Sequence, residues 1–324
     1  MAYEAVDDVD TMTFEMPFSD LASDPSSDSS SDPAAPDPVV DDTRPTTTMG
    51  MGHSVPRPAA RSGAINTNST NPAPAAAQLV SGDSLQASLK MTIPKARVTK
   101  IVDGRSVMID SGQIVELTGL YFAYEEDGKD SRNLLDSYEF LEENLKDRFV
   151  RVYQTMDERK GRVNRFGHML AHLVREDGTW IQGSLVTSGI ARVYPTEENP
   201  EMAAELYAFE TAARAAKRGL WAQDRWKILS TDEVDLKKQS FQIVEGTITK
   251  TATQNNQIYL NFGEDWRKDF TIMIPQEKRQ AFSRASAQPL TWTHRRVRVR
   301  GWVQDYNGAM IAVQHPVQIE FLDE

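Results

Sequence analysis

Beyond residue 90, apolar residues recur at every second position in one short segment after another. Ile258, Leu260 and Phe262 alternate with polar neighbours, as do Phe270, Ile272 and Ile274 and then Val297, Val299 and Val303; Val317, Ile319 and Phe321 close the chain. Successive side chains of a strand point to opposite faces, so each set marks one buried side. About five such strands between residues 240 and 324 predict a small β-barrel of the OB type. The segment ARVTKIVDGRSVMIDSGQIVELTGLYF reads the same way. A strand ends at Val102, a turn falls at Asp103–Gly104, and a second strand runs through Val107 and Ile109. Ser111–Gly112 turns the chain into a third strand with Ile114, Val115 and Leu117, and Phe149–Val152 and Gly167–Val174 read as two more.

Helices separate these strands. Leu134, Leu135, Tyr138, Leu141 and Leu145 fall at helical spacing. Ile181–Ser188 reads as a short helix ended by Gly189. The Ala-rich stretch Pro200–Lys217, with Glu210 four residues before Arg214, predicts a strong helix stopped by Gly219. The polar run STDEVDLKKQ reads as a linker. The expected organisation is a tail over residues 1–90, a first domain over 91–226, a linker over 227–239 and a second domain over 240–324, in a mainly β chain with helices (α+β).

The net charge of −11 misleads about the folded part. Of 47 acidic and 36 basic residues, thirteen and four lie in residues 1–90, so −9 belongs there and −2 to the rest. That tail, rich in Ser, Asp, Pro and Ala, has too few apolar side chains to offset chain entropy and is expected to be disordered. It holds one apolar island, Phe14, Met16, Phe18 and Leu21. The chain has no cysteine, which excludes disulfides and thiolate chemistry, and its five histidines show no HExxH spacing. No apolar run approaches the ~18 residues of a membrane span, and MAYEAVDDVD lacks the apolar core of a secretory signal. A cytoplasmic protein with no membrane partner is the expectation.

Five pieces stand in order over residues 95–222: VTKIVDGRSV, VELTGL, RFGHMLAHLV, GSLVTSGIARVYP and ETAARAAKRGLW. Together they resemble the staphylococcal nuclease (thermonuclease) family. The resemblance implies a five-stranded OB barrel packed with helices. YLNFGEDWRKDFTIMIP, RVRVRGWV and HPVQIEFL resemble the small β domain that follows the nuclease-like domain in some bacterial members, for which no chemistry is implied.

The family cleaves phosphodiester bonds with a hard cation, usually calcium, held by Asp oxygens. Two arginines stabilise the charged transition state, and a Glu activates water. The resemblance places Arg105 where a metal Asp is expected and Glu116 where the first Arg is expected. Tyr121 replaces the second metal Asp, Tyr124 the Glu, and His168 the second Arg. All five are replaced, two with reversed charge. The implied reading is a non-catalytic chain without metal, its site closed by an Arg105–Glu116 salt bridge and lined by His168. In the alternative, a one-residue insertion makes Glu125 the base with Asp127 or Asp130 near calcium, giving an active phosphodiesterase.

Binding remains as a function. On an extended strand Arg296, Arg298 and Arg300 share a face while Val297 and Val299 point inward; Trp302 falls on the arginine side, and Trp266, Arg267 or Tyr259 could add stacking. These are the candidate contacts to single-stranded DNA or RNA, although alternating Arg and Val also describes arginines paired with acids. Tyr121, Phe122 and Tyr124, or the acidic tail, are the candidate contacts to a protein partner; the aromatics could equally fill the emptied pocket.

Overall fold

A computed structural model describes residues 79–123, 132–234, 236, 240–265 and 267–323. Tyr124, Glu125, Asp127, Asp130, Trp266 and the apolar island of the tail lie outside these residues. In chain order the elements of the first half are β1 (Val80–Ser81), α1 (Leu85–Ser88), β2 (Lys90–Ile101), β3 (Ser106–Ile109), β4 (Ile114–Leu117) and β5 (Leu120–Tyr121). Then come α2 (Arg132–Leu145), β6 (Phe149–Gln154), β7 (Met169–Arg175), β8 (Thr179–Trp180), α3 (Ile181–Thr187), β9 (Arg192–Val193) and α4 (Ala203–Ala215).

Five of these strands close on themselves. β2 pairs with β3, β3 with β4, β4 in parallel with β7, β7 with β6, and β6 again with β2. One long strand can serve two neighbours because it is irregular. Pro94, which has no N–H to give, lies in β2 where the register with β6 shifts. Val98, Val107, Ile109, Val115, Leu117, Val150, Val152 and Leu173 fill the barrel, and Phe140, Leu141 and Leu145 of α2 pack against them. The short helix ends as expected at Gly189, whose φ is +71°. Its carbonyl accepts the Leu220 N–H at 2.9 Å. A Cβ on Gly189 would stand 2.1 Å from the Arg218 carbonyl oxygen, so only glycine allows this approach.

The second half repeats the pairing order with β11 (Phe241–Thr247), β12 (Lys250–Gln254), β13 (Gln257–Asn261), β14 (Thr271–Ile274), α5 (Arg279–Arg284), β15 (Arg296–Asp305), β16 (Ala309–Ala312) and β17 (Ile319–Phe321), preceded by β10 (Leu229–Ser230). β12 pairs with β13, β13 with β14, β14 in parallel with β16, β16 with β15, and β15 with β11, the strand that leads into β12. Val297, Val299 and Val303 are inside with Ile258, Leu260, Ile272 and Ile274. The polar run expected as linker begins as structure: Leu229 and Ser230 pair in parallel with Val244 and Glu245. No helix among the described residues is long and apolar enough to cross a membrane.

A buried charge joins the two barrels. Arg298 and Arg300 point away from the second core, as alternation predicts, but that face meets the first barrel and not solvent. Arg300 is 0% exposed. Its Nη1 donates to the Val193 carbonyl at 2.8 Å and to Glu210 of α4 at 3.0 Å, and its Nη2 bonds Glu320. The Tyr207 ring centroid lies 4.2 Å from the guanidinium. The Tyr207 hydroxyl donates to the Val317 carbonyl at 2.6 Å. Burial opposes the charge on Arg300, and Glu210 and Glu320 more than offset it, so the guanidinium is held in its charged form. Arg298 bonds Glu245 at 2.5 Å and Glu320 at 3.4 Å.

Two members of the expected arginine strip, Arg298 and Arg300, are therefore buried against acids and not open to solvent. Of its three members Arg296 is exposed, and it pairs with Glu245 at 3.3 Å. Removing one partner of a buried pair leaves the other uncompensated. Arg300→Ala is expected to lower the unfolding free energy of the full chain by about 3–5 kcal/mol, and Arg296→Ala by less than about 1 kcal/mol. Urea denaturation followed by far-UV circular dichroism checks both; equal losses would mean that Arg300 does not hold the barrels together.

Candidate functional site

The first barrel presents a polar rim where β3, β4 and β7 meet. The register sets Ser106 opposite Glu116 and Val115 opposite Met169, which brings Arg105, Glu116 and His168 to one edge. Asp103 fixes the turn before β3 by accepting the Arg105 N–H at 2.8 Å and the Ser106 hydroxyl at 2.6 Å. Asn164 fixes the loop before β7. Its Oδ1 accepts the N–H groups of Phe166 and His168 at 2.9 and 3.0 Å, and its Nδ2 donates to Glu116 Oε2 at 2.9 Å.

Glu116 is therefore enclosed by donors. Arg105 Nη2 stands 3.6 Å from its Oε1, and His168 Nδ1 is 3.7 Å from its Oε2. The salt bridge expected between Arg105 and Glu116 is present. All three side chains keep some contact with water, so the pair contributes below about 1 kcal/mol. The Asn164 amide occupies one Glu116 oxygen and the Arg105 guanidinium faces the other.

Of the three aromatics weighed as a docking surface or as pocket filling, Tyr121 and Phe122 are buried. Tyr121 is 2% exposed. It lies on β5, which pairs with β9, and its ring stacks on Phe241 of β11 at 4.1 Å between centroids. Phe122 belongs to the core of the first barrel. The second barrel covers Tyr121 through Phe241. Trp302 meets Tyr121 and Phe241 edge-on at 6.0 and 6.3 Å and remains 41% exposed. Arg267 sits apart, in the loop before β14, with its N–H on Asp265 at 3.1 Å.

Two features of the first barrel escaped the sequence. His172 is buried, and its Nδ1 accepts the Trp180 indole N–H at 3.3 Å. Phe166, at the tip of the loop between β6 and β7, is 68% exposed, and the Arg165 guanidinium lies 4.7 Å from its ring centroid. Met156 and Val163 of the same loop are exposed too. The signal for Phe166 was an aromatic set between Arg165 and Gly167, outside any alternating run.

Residues 134–223 match the family model described as staphylococcal nuclease homologue. The matched span runs from α2 past α4; it includes Asn164 and His168 and begins after Arg105, Glu116 and Tyr121. No curated protein matches the chain.

Burial pushes His172 down to about 3, against 6.5 for an unperturbed histidine. Below pH 6.5 the unfolded chain takes up a proton that the folded chain refuses. The stability that neutral His172 contributes is complete above that pH and declines as the pH falls toward 3, with a limiting slope of about 1.4 kcal/mol per pH unit. Urea denaturation in mildly acidic buffers, above the range where carboxylates titrate, should show this slope in the unchanged chain and a flatter one in His172→Gln. An unaltered slope in the variant would assign the loss to other groups.

Proposed function

The chain belongs, through residues 134–223, to the staphylococcal nuclease-like family, and we propose that it is a non-catalytic member that binds single-stranded nucleic acid. The observation that carries the first half of this reading is the contact between Arg105 and Glu116. Phosphodiester cleavage in this family needs a cation, two free guanidiniums and a proton acceptor in one place. By the resemblance, Arg105 and Glu116 stand where a metal ligand and a phosphate-binding arginine belong, and here they neutralise each other. Removing one electrostatic donor from such a site costs roughly 10²–10³ in rate. A site that has exchanged metal ligands, base and both arginines keeps no route to the reaction.

The binding half rests on what the same rim still exposes. Phe166 projects beside His168, with ring centroids 6.1 Å apart, and carries the Arg165 guanidinium on its ring. An aromatic face with an adjacent cation stacks a base and attracts its phosphate without reading sequence.

Single-turnover incubation of the full chain with labelled single-stranded DNA and RNA, in calcium or in EDTA, tests both halves. Binding that weakens with added salt, with no calcium-dependent cleavage, is the expected outcome. Phe166→Ala should weaken binding by about five-fold or more. Cleavage that survives repurification and disappears in Glu125→Gln would establish an active phosphodiesterase instead. A chain that binds neither nucleic acid at low salt would overturn the ligand and leave a protein adaptor.

A further inference from the structure

The second barrel has one sheet face that takes no part in the joint between the barrels. β11, β15 and β17 supply Phe241, Arg300 and Glu320 to that joint. The remaining strands β12, β13, β14 and β16 send Ile258, Leu260, Ile272, Ile274 and Ile311 inward; on their other side Asn261, Thr271 and Met310 are buried, while Tyr259, Met273 and Ala312 are half-buried. The pairing register aligns an outward row across four strands: Ala252 opposite Tyr259, Tyr259 opposite Met273, and Met273 opposite Ala312. Tyr259 is thus an aromatic platform in the middle of a row whose other members are two alanines and a methionine. Its hydroxyl donates to Gln257 Oε1 at 2.5 Å, which fixes the ring.

A second aromatic stands at the edge of this face. Tyr306 occupies the turn between β15 and β16 and is 48% exposed. Its N–H donates to the Gly308 carbonyl at 3.0 Å, and Asn307 and Gly308 adopt the left-handed backbone that such a tight turn requires. Burial raises the Tyr259 phenol pKa and Tyr306 raises it further, so the two phenols are within electrostatic reach of one another. The four strands themselves carry Lys250 and no carboxylate. Arg279 adds a guanidinium at the β12–β13 turn, where it donates to the Asn256 carbonyl at 3.3 Å. Lys268 lies against Gly308 in the Tyr306 turn; its side chain is largely exposed and stands 3.4 Å from Asp265, and Asp305 is the acid nearest Tyr306 in sequence.

Barrels with this strand order hold oligonucleotides on the face of their second and third strands, between the loop joining strands one and two and the loop joining four and five. In this barrel those are β13 and β14, the Asn255–Asn256 turn and the Tyr306 turn. We infer that Tyr259 and Tyr306 form a second single-stranded nucleic-acid site, on the outer face of the C-terminal barrel and separate from the former nuclease rim. Bases stack on the two rings, and Lys250, Arg279 and Lys268 attract the backbone. The inference rests on the nucleic-acid reading above and adds where the strand goes after, or instead of, Phe166.

The test is fluorescence anisotropy of a labelled short oligothymidylate titrated with the full chain. The variants are Tyr259→Ala/Tyr306→Ala, Tyr306→Ala alone, Tyr259→Phe/Tyr306→Phe and Phe166→Ala, each checked for native circular dichroism and melting. Loss of stacking at two rings should weaken binding about ten-fold or more in the double alanine variant. The phenylalanine pair should keep most of the affinity, because the ring face and not the hydroxyl holds the base. Tyr306→Ala sits in a surface turn and reports on the site even if the double variant unfolds. Affinity indistinguishable from the unchanged chain in folded Tyr306→Ala and double alanine variants would overturn this site while leaving nucleic-acid binding at Phe166 intact. Failure of the unchanged chain to bind would overturn both.

Discussion

The Arg300 guanidinium, held between Glu210 and Glu320, is the interaction on which the arrangement of this protein depends. Taking an ion out of water costs several kcal/mol after relaxation, and only near-complete pairing offsets that cost. Here the partners come from both barrels: Val193 and Glu210 from the first, Glu320 from the second. Displacement of either barrel would leave charge unpaired in a dry interface. The remaining cross-barrel contacts follow from that fixed placement, among them Phe241 on Tyr121 and Lys278 on Glu197 at 2.7 Å.

That placement bears directly on residue 121. Tyr121 stands where the resemblance sets a metal-binding Asp. A carboxylate at this position would lie buried against Phe241 and the edge of Trp302, opposite Arg192 in the β5–β9 pairing. Burying a charge there costs desolvation free energy that an aromatic ring does not incur. Docking of the second barrel therefore favours an aromatic ring at residue 121 over a water-exposed carboxylate. Glu116 faces Arg105 at the same rim as an ion pair.

Alternation made much of this legible, and it also marks where legibility ends. It identifies Val297 and Val299 as inward and the arginines between them as outward, because a strand's period is fixed by its geometry. It is silent on what covers the outward face. Arg298 and Arg300 look alike whether water or another barrel lies over them. Glu210 shows the same limit: its spacing to Arg214 reads as a helix surface pair, yet the carboxylate is buried and accepts the Val193 N–H at 2.8 Å. For Tyr121, Phe122 and Tyr124 the sequence left a filled pocket and a docking surface open. Burial decides for filling at the first two, since the covering surface comes from residues 120 positions away in the chain. The Arg105–Glu116 pair was legible because reversed charges on facing strands have few other solutions. His172 was not, since neutrality of a histidine is set by what surrounds it.

The cost of the joint also shapes what the protein can bind. Two of the three arginines on β15 are spent internally, and Arg105 is spent on Glu116. The two aromatic sites proposed above carry few cations: Phe166 with Arg165 on one barrel, Tyr259 and Tyr306 with Lys250 on the other. Each phosphate neutralised on a single strand contributes about 0.7 to the logarithmic salt slope. A site that works mainly through stacking therefore has a shallow slope, unlike the steep one that an exposed arginine strip would produce. It also tolerates any base, because every base offers a π-face. Binding of the proposed kind would therefore draw its affinity mainly from stacking and less from phosphate contacts.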